Sequence, residues 1–310
     1  MEVKKDSLRA WILAARPKTL TGAAVPVMIG LALAWNDRCP STLHLSPSTL
    51  HLPPSTLHLL PAVLCLLFAF LMQIDANLVN DLFDYLKGAD DRETRLGPER
   101  ACTQGWVSVS HMKVAIGVTT LLACLVGLPL IYYGGWAMVA VGLACVVFCF
   151  LYTTHLSYMG LGDVLVLVFF GLVPVCATYY IQMHMLTVEV LTAALACGLV
   201  IDALLLVNNF RDRDTDRVAG KGTLVVRIGP VAALRCYLGV GIVACLMGTV
   251  FILNGQWPAF VLPLLYLVLH MLTYRKMRRI WQGRALNQCL GETARNIFVY
   301  GLLVTLGLIL

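Results

Sequence analysis

The sequence predicts an all-α integral membrane protein with nine transmembrane helices. Three observations predict it. Hydrophobic residues fill 59% of the 310 positions and charged residues only 13%, where soluble domains carry about a quarter charged. The apolar residues come in long blocks, and about 20 such residues cross a bilayer core. Finally, 21 of the 23 Lys and Arg residues fall on one side of a nine-span arrangement, the asymmetry of a polytopic protein. A water-soluble fold has no means of burying so many apolar helices.

The spans run near 19–36, 60–86, 112–133, 136–153, 162–183, 187–208, 231–253, 257–274 and 291–310. Each is expected to be helical, because backbone polar groups in lipid must be satisfied within their own segment. Pro26, Pro129 and Pro174 fall inside spans and can bend them. The N-terminal Lys4, Lys5 and Arg9 lead through Arg16-Pro17-Lys18 into a full-length span. A cleaved signal peptide is therefore not expected. The basic residues collect at the N-terminus and in the even-numbered loops, with Arg38 on the other side and Arg295 near the start of the last span. This places the basic side in the cytoplasm and the C-terminus outside. The net charge of +6 follows from topology and an anionic lipid surface. It calls for the lipid bilayer as partner and for no nucleic acid.

The whole chain reads as one domain with an insertion. Residues 38–59 carry Pro-Ser-Thr-Leu-His-Leu three times at period seven, an external low-complexity loop. His44, His51 and His58 recur because the unit recurs, and no second ligand type accompanies them. Of the eleven cysteines, most sit inside apolar spans without paired spacing. Neither a disulfide framework nor a zinc cluster is expected.

Carboxylates are scarce in this chain, yet 7 of its 17 acidic residues lie in two stretches. The first is Asn77-x-x-Asn80-Asp81-x-x-Asp84-x-x-x-Gly88-x-Asp90, followed by Asp91. The second is Asn208-Asn209-x-Arg211-Asp212-x-Asp214-x-Asp216-x-x-x-Gly220-Lys221. Offsets of three and four put the first set on one helical face, and Asp212 and Asp216 are likewise four apart. Two carboxylate clusters at the inner ends of spans suit a shared divalent cation. Magnesium takes oxygen ligands, typically one or two carboxylates plus substrate phosphate oxygens. The expected metal ligands are Asn80, Asp81, Asp84, Asp212 and Asp216, the four aspartates being the catalytic set. Asn80 and Asn209 supply amide groups to a diphosphate, and Lys221, Arg92, Arg95, Arg227 and Lys18 neutralise it. Such a site stabilises a departing diphosphate by Lewis-acid catalysis, with an apolar tail lying among the spans.

Gly220-Lys221-Gly222-Thr223 lacks the preceding glycine-rich segment of a P-loop. Asp75 and Asp202 lie within spans, as cavity residues or as buried groups with local partners. His155 and Asp163 flank a short cytoplasmic loop, Tyr152–Gly162, whose Tyr152, Tyr158, Gly160 and Gly162 form an aromatic-substrate rim or are ordinary loop residues. Tyr179 and Tyr180 are expected as interfacial anchors.

Together the two motifs resemble those of the UbiA-type intramembrane aromatic prenyltransferases. Further matches are Arg16-Pro17-Lys18-Thr19-Leu20, Arg95-x-Gly97-Pro98, Gln104-Gly105, Gly160-Leu161-Gly162-Asp163, Phe170-Gly171 and the run Thr223-Leu224-x-Val226-Arg227-x-Gly229. The finer pattern is similar to the branch that prenylates 1,4-dihydroxy-2-naphthoate in menaquinone synthesis. The resemblance covers nearly the whole chain except 38–59, and the external repeat is not part of the family pattern. It implies nine helices around a central cavity and Mg²⁺-dependent transfer of a polyprenyl chain from polyprenyl diphosphate. The naphthoate ring attacks, its carboxylate leaves as carbon dioxide, and demethylmenaquinone and diphosphate result in a bacterial inner membrane. Alternatives are transfer to 4-hydroxybenzoate or homogentisate, and a cation-coupled transporter. Transporter sites lie near the bilayer midplane, whereas these motifs lie at span ends.

Overall fold

The computed structural model describes residues 3–38, 57–88 and 95–310. Asp90, Asp91, Arg92 and most of the heptad repeat lie outside the described residues. Among those residues, nine helical spans are long and apolar enough to cross a membrane. They are α1 (Leu8–Arg38), α2 (Leu59–Leu86), α3 (Val109–Gly127), α4 (Ala137–Leu156), α5 (Gly162–Met183), α6 (Val188–Val218), α7 (Pro230–Leu253), α8 (Trp257–Ile280) and α9 (Leu286–Ile309). The chain is a multi-pass membrane protein.

Helix α1 is broken near its start. Arg16 adopts a left-handed conformation (φ 51°, ψ 69°) between Leu8–Ala15 and the single turn Pro17–Thr19. Asn77 of α2 holds the break: its amide donates to the Ala15 carbonyl at 2.9 Å and to the Thr19 hydroxyl at 2.8 Å. A second departure from expectation is length. Helix α6 continues ten residues past 208 to Val218, so its acidic motif is helical and not a loop. Two π-helical turns, Tyr152–Leu156 in α4 and Leu167–Leu172 in α5, interrupt the regular hydrogen bonding. Such turns are often found at functional sites.

The centre of the bundle is α1 and α6. Helix α1 packs on α2, α5 and α9, and α6 packs on α5, α7 and α9. Val25, Ile29, Tyr179, Cys197, Val200 and Tyr300 share the resulting core. By contrast, residues 137–151 of α4 contain no buried side chain. Tyr179 is buried, not an anchor: its hydroxyl donates to Asp37. Tyr132, Trp136 and Trp257 are exposed at the ends opposite the motifs, where amphipathic rings meet the headgroup layer.

Helices in lipid associate through close packing of small residues, since apolar burial drives nothing there. Gly171 on α5 meets Gly198 on α6 in this way. A Cβ at Gly171 would stand 2.6 Å from the Ala194 carbonyl and 2.7 Å from Gly198 Cα. Both obstacles are backbone, so the helices must part. Gly171→Ala is expected to cost about 1–3 kcal/mol and to lower the thermal midpoint in detergent. An unchanged midpoint would show that the seam yields freely.

Candidate active site

The motif-bearing ends of α2 and α6 converge on a single large cavity of about 1530 Å³. Its far wall is apolar, built from residues such as Phe68, Met72, Ile131, Val146, Phe169 and Phe298. Its polar end carries Asn77, Asn80 and Asp84 from α2, and Asn208, Asn209, Asp212 and Asp216 from α6. Arg16, Lys18, Arg95, Arg100 and Lys221 stand around them.

Local folding places Lys221. Helix α6 ends in a turn in which the Lys221 N–H reaches the Asp216 carbonyl (2.8 Å) and the Gly220 N–H reaches Arg217 (3.2 Å). Gly220 is left-handed at φ +70°. This is the Schellman arrangement, which favours glycine at that position. It folds the chain back, and Lys221 Nζ comes within 3.6 Å of Asp84 Oδ1 on α2. Arg100 donates to the other Asp84 oxygen at 3.0 Å. Asp212 is held by its neighbour: Arg211 donates from Nε (2.7 Å) and from Nη2 to its two oxygens. The same guanidinium binds Asn208 and Asn287 Oδ1, each at 2.8 Å. Asn287 in turn donates to the Leu96 carbonyl at 2.8 Å. One arginine thus joins α6, α9 and the loop before α3. On α2, Asn80 Oδ1 accepts from the Thr153 hydroxyl at 2.6 Å.

Electrostatics follow from this crowding. Burial pulls the Arg95 guanidinium down to about 10. Burial also opposes charge on Lys221, but Asp84, Tyr158 and Asp216 outweigh it and raise its ammonium above the ordinary lysine value. Both groups are cationic at neutral pH. Binding of an anion at this end is expected to hold within about twofold from pH ~7.5 to ~9 and to weaken as the pH rises through ~10, where Arg95 loses its proton. A KM profile for the anionic substrate checks this.

Two residues grouped with the site by spacing are placed elsewhere. Asp81 does not line the cavity; its two oxygens accept the backbone N–H groups of Ala101 (2.8 Å) and Cys102 (3.0 Å). It therefore ties down the 100–107 segment, and α2 presents one aspartate to the cavity. Arg227 donates to the carbonyls of Gly222 (2.8 Å) and Met159 (2.5 Å) and also lies off the cavity wall. Arg92 lies outside the described residues. Asp75 accepts from the Thr120 hydroxyl at 2.9 Å, the local-partner case. Asp202 is buried, lies off the main cavity, and has Asp163 as its charged neighbour. Of the rim residues, Tyr152 lines the main cavity and also a small cleft beside it, where Gly160 and Gly162 join it together with the flanking Asp163.

A sequence model of the UbiA prenyltransferase family matches residues 23–298. The chain belongs to the UbiA prenyltransferase family. A UbiA relative in Escherichia coli K12, named 1,4-dihydroxy-2-naphthoate octaprenyltransferase, is 34% identical over 97% of this chain and 96% of its own. Its namesake in Haemophilus influenzae is 32% identical over 82% of this chain and 83% of its own. The fold matches a solved structure described as a UbiA homolog from Archaeoglobus fulgidus bound to GPP and Mg²⁺. The TM-score is 0.63 at 14% identity, covering 95% of this chain and 99% of that one.

Within this UbiA fold, the cavity donors are carboxylate and amide oxygens. Among the described residues, no three His, Cys, Asp or Glu side chains close a metal site by themselves. That donor set fits magnesium, which takes one or two carboxylates and completes its shell with water and phosphate oxygens. It does not fit zinc, which favours nitrogen and sulfur ligands. Arg100 and Asn287 were not legible as site residues. Arg100 sits in the loop before α3 and Asn287 in the first turn of α9, neither within a local pattern, and only folding brings them to Asp84 and Arg211.

Proposed function

We propose that this protein transfers a polyprenyl chain from polyprenyl diphosphate to 1,4-dihydroxy-2-naphthoate. The carbon–oxygen bond of the allylic diphosphate breaks, and the diphosphate leaves with the bonding electrons. The naphthoate ring forms the new carbon–carbon bond and its carboxylate is lost as carbon dioxide. The quinol form of demethylmenaquinone results. The observation that carries this reading is the meeting of Asp84 and Lys221, one from each motif, at the polar end of a long apolar cavity. The names of the relatives supply the acceptor.

In this reading Asp84, Asp212 and Asp216, with Asn80 and Asn209, hold magnesium and orient the diphosphate. When bound, the metal supplies Lewis-acid stabilisation of the leaving group. Lys221, Lys18, Arg16, Arg95 and Arg100 balance the remaining charge. The apolar wall takes the prenyl chain and excludes water from the reacting carbon. In this reading the basic ends of the bundle face the cytoplasm of a bacterial inner membrane.

The test supplies proteoliposomes with a prenyl diphosphate, Mg²⁺ and separate aromatic acceptors, and weighs the products. The expected product is the naphthoate plus a prenyl group minus carbon dioxide. Turnover only with 4-hydroxybenzoate or homogentisate would move the acceptor. Uptake without a covalent product would replace the enzyme by a transporter.

A further inference from the structure

Two lysines follow the two motif helices. Lys87 comes just after the last turn of α2, and Lys221 just after that of α6. Between them lies Tyr158, from the segment joining α4 to α5. Lys87 Nζ is 4.1 Å from the centroid of the Tyr158 ring and Lys221 Nζ is 5.1 Å from it. Both fall within the roughly 6 Å over which a ring face attracts a cation. The ring does not line the cavity; among the described residues it meets the site through these ammonium groups.

The surrounding contacts hold the ring in place. Lys87 also donates to the carbonyls of Thr153 (3.3 Å) and Thr154 (2.5 Å) on the π-helical turn of α4. The Tyr158 carbonyl accepts the Gly222 N–H at 3.0 Å, and Arg227 bridges Gly222 and Met159. Gly160 is left-handed, and a Cβ there would stand 2.3 Å from the Gly222 carbonyl. Segment 157–160 is thereby docked on the turn that carries Lys221.

We propose that Tyr158 is a positioning residue for diphosphate binding: its ring holds Lys87 and Lys221, one from each motif helix, beside the polar end of the cavity. Two ammonium groups brought to one spot repel. The electron-rich ring, within reach of both, offsets that repulsion and leaves Lys221 aimed at Asp84, where a phosphate oxygen would meet it. This inference rests on the diphosphate reading above.

The test varies the ring face and little else. Initial rates are measured in detergent with prenyl diphosphate varied at saturating naphthoate and Mg²⁺. Tyr158→Phe keeps the face, and its KM for prenyl diphosphate is expected within about twofold of the parent. Tyr158→Leu removes the face and is expected to raise that KM by roughly tenfold, with the KM for naphthoate unmoved. Phenylalanines carrying one and three ring fluorines, introduced at position 158, deplete the face at nearly constant shape. The KM is expected to climb with each step, a readout that does not depend on the leucine variant folding. A flat fluorine series, or a Phe variant as impaired as the Leu variant, overturns the proposal. So does an equal rise in both KM values. A parent protein that consumes no prenyl diphosphate removes the functional reading itself, so the two failures are distinguishable.

Discussion

Replacing Asp84 with asparagine is expected to lower kcat/KM for prenyl diphosphate by at least about a hundredfold. Asparagine matches the shape of aspartate but carries no charge. In the native site one Asp84 oxygen takes Arg100 and the other faces Lys221. Asp84 is the carboxylate α2 presents to the cavity, because Asp81 is committed elsewhere. Its loss takes one negative charge from beside two cations and removes the proposed anionic metal ligand from that helix. Diphosphate release, followed with and without added magnesium, measures the effect. The fall is expected to persist at high magnesium, since the repelled Lys221 and Arg100 cannot be restored by more metal. A fall of less than about fivefold would take Asp84 out of the site.

Asp81→Asn is expected to act by a different route, through stability. The native carboxylate accepts two backbone N–H groups in a buried setting, and hydrogen bonds to a charged acceptor contribute about 1.5–3 kcal/mol each. Asparagine keeps one acceptor oxygen and turns an NH₂ towards the second N–H. The expected cost is about 2–4 kcal/mol, seen as a lower thermal midpoint in detergent. Activity falls as well, because the released 100–107 segment carries Arg100 away from Asp84. Asp84→Asn therefore loses activity with a largely retained midpoint, while Asp81→Asn loses both together. Should Asp81→Asn keep its midpoint and show only a weakened magnesium response, Asp81 would be a metal ligand after all.

This contrast marks where sequence reasoning stopped. Asp81 and Asp84 are three apart on one helix, so spacing alone gives them the same side. What separates them is a loop twenty residues away in the chain, whose N–H groups settle on Asp81. Arg227 has the same history. It reads as a phosphate cation from its place in the motif, yet two carbonyls of neighbouring turns take its donors. Asn287 carries no local signal, and its contact with Arg211 spans 76 positions.

The residue pattern alone was sufficient for the nine spans, since a chain so poor in charge has nowhere else to bury apolar blocks of bilayer length. It was equally sufficient for the two acidic clusters, because ionisable groups at the ends of such spans are costly and seldom idle. Tertiary structure decided which of those carboxylates face the cavity, where α1 breaks at Arg16, and how Lys221 of one motif reaches Asp84 of the other. These are questions of which distant backbone groups arrive first at a given donor or acceptor. Periodicity along one helix carries no information about that.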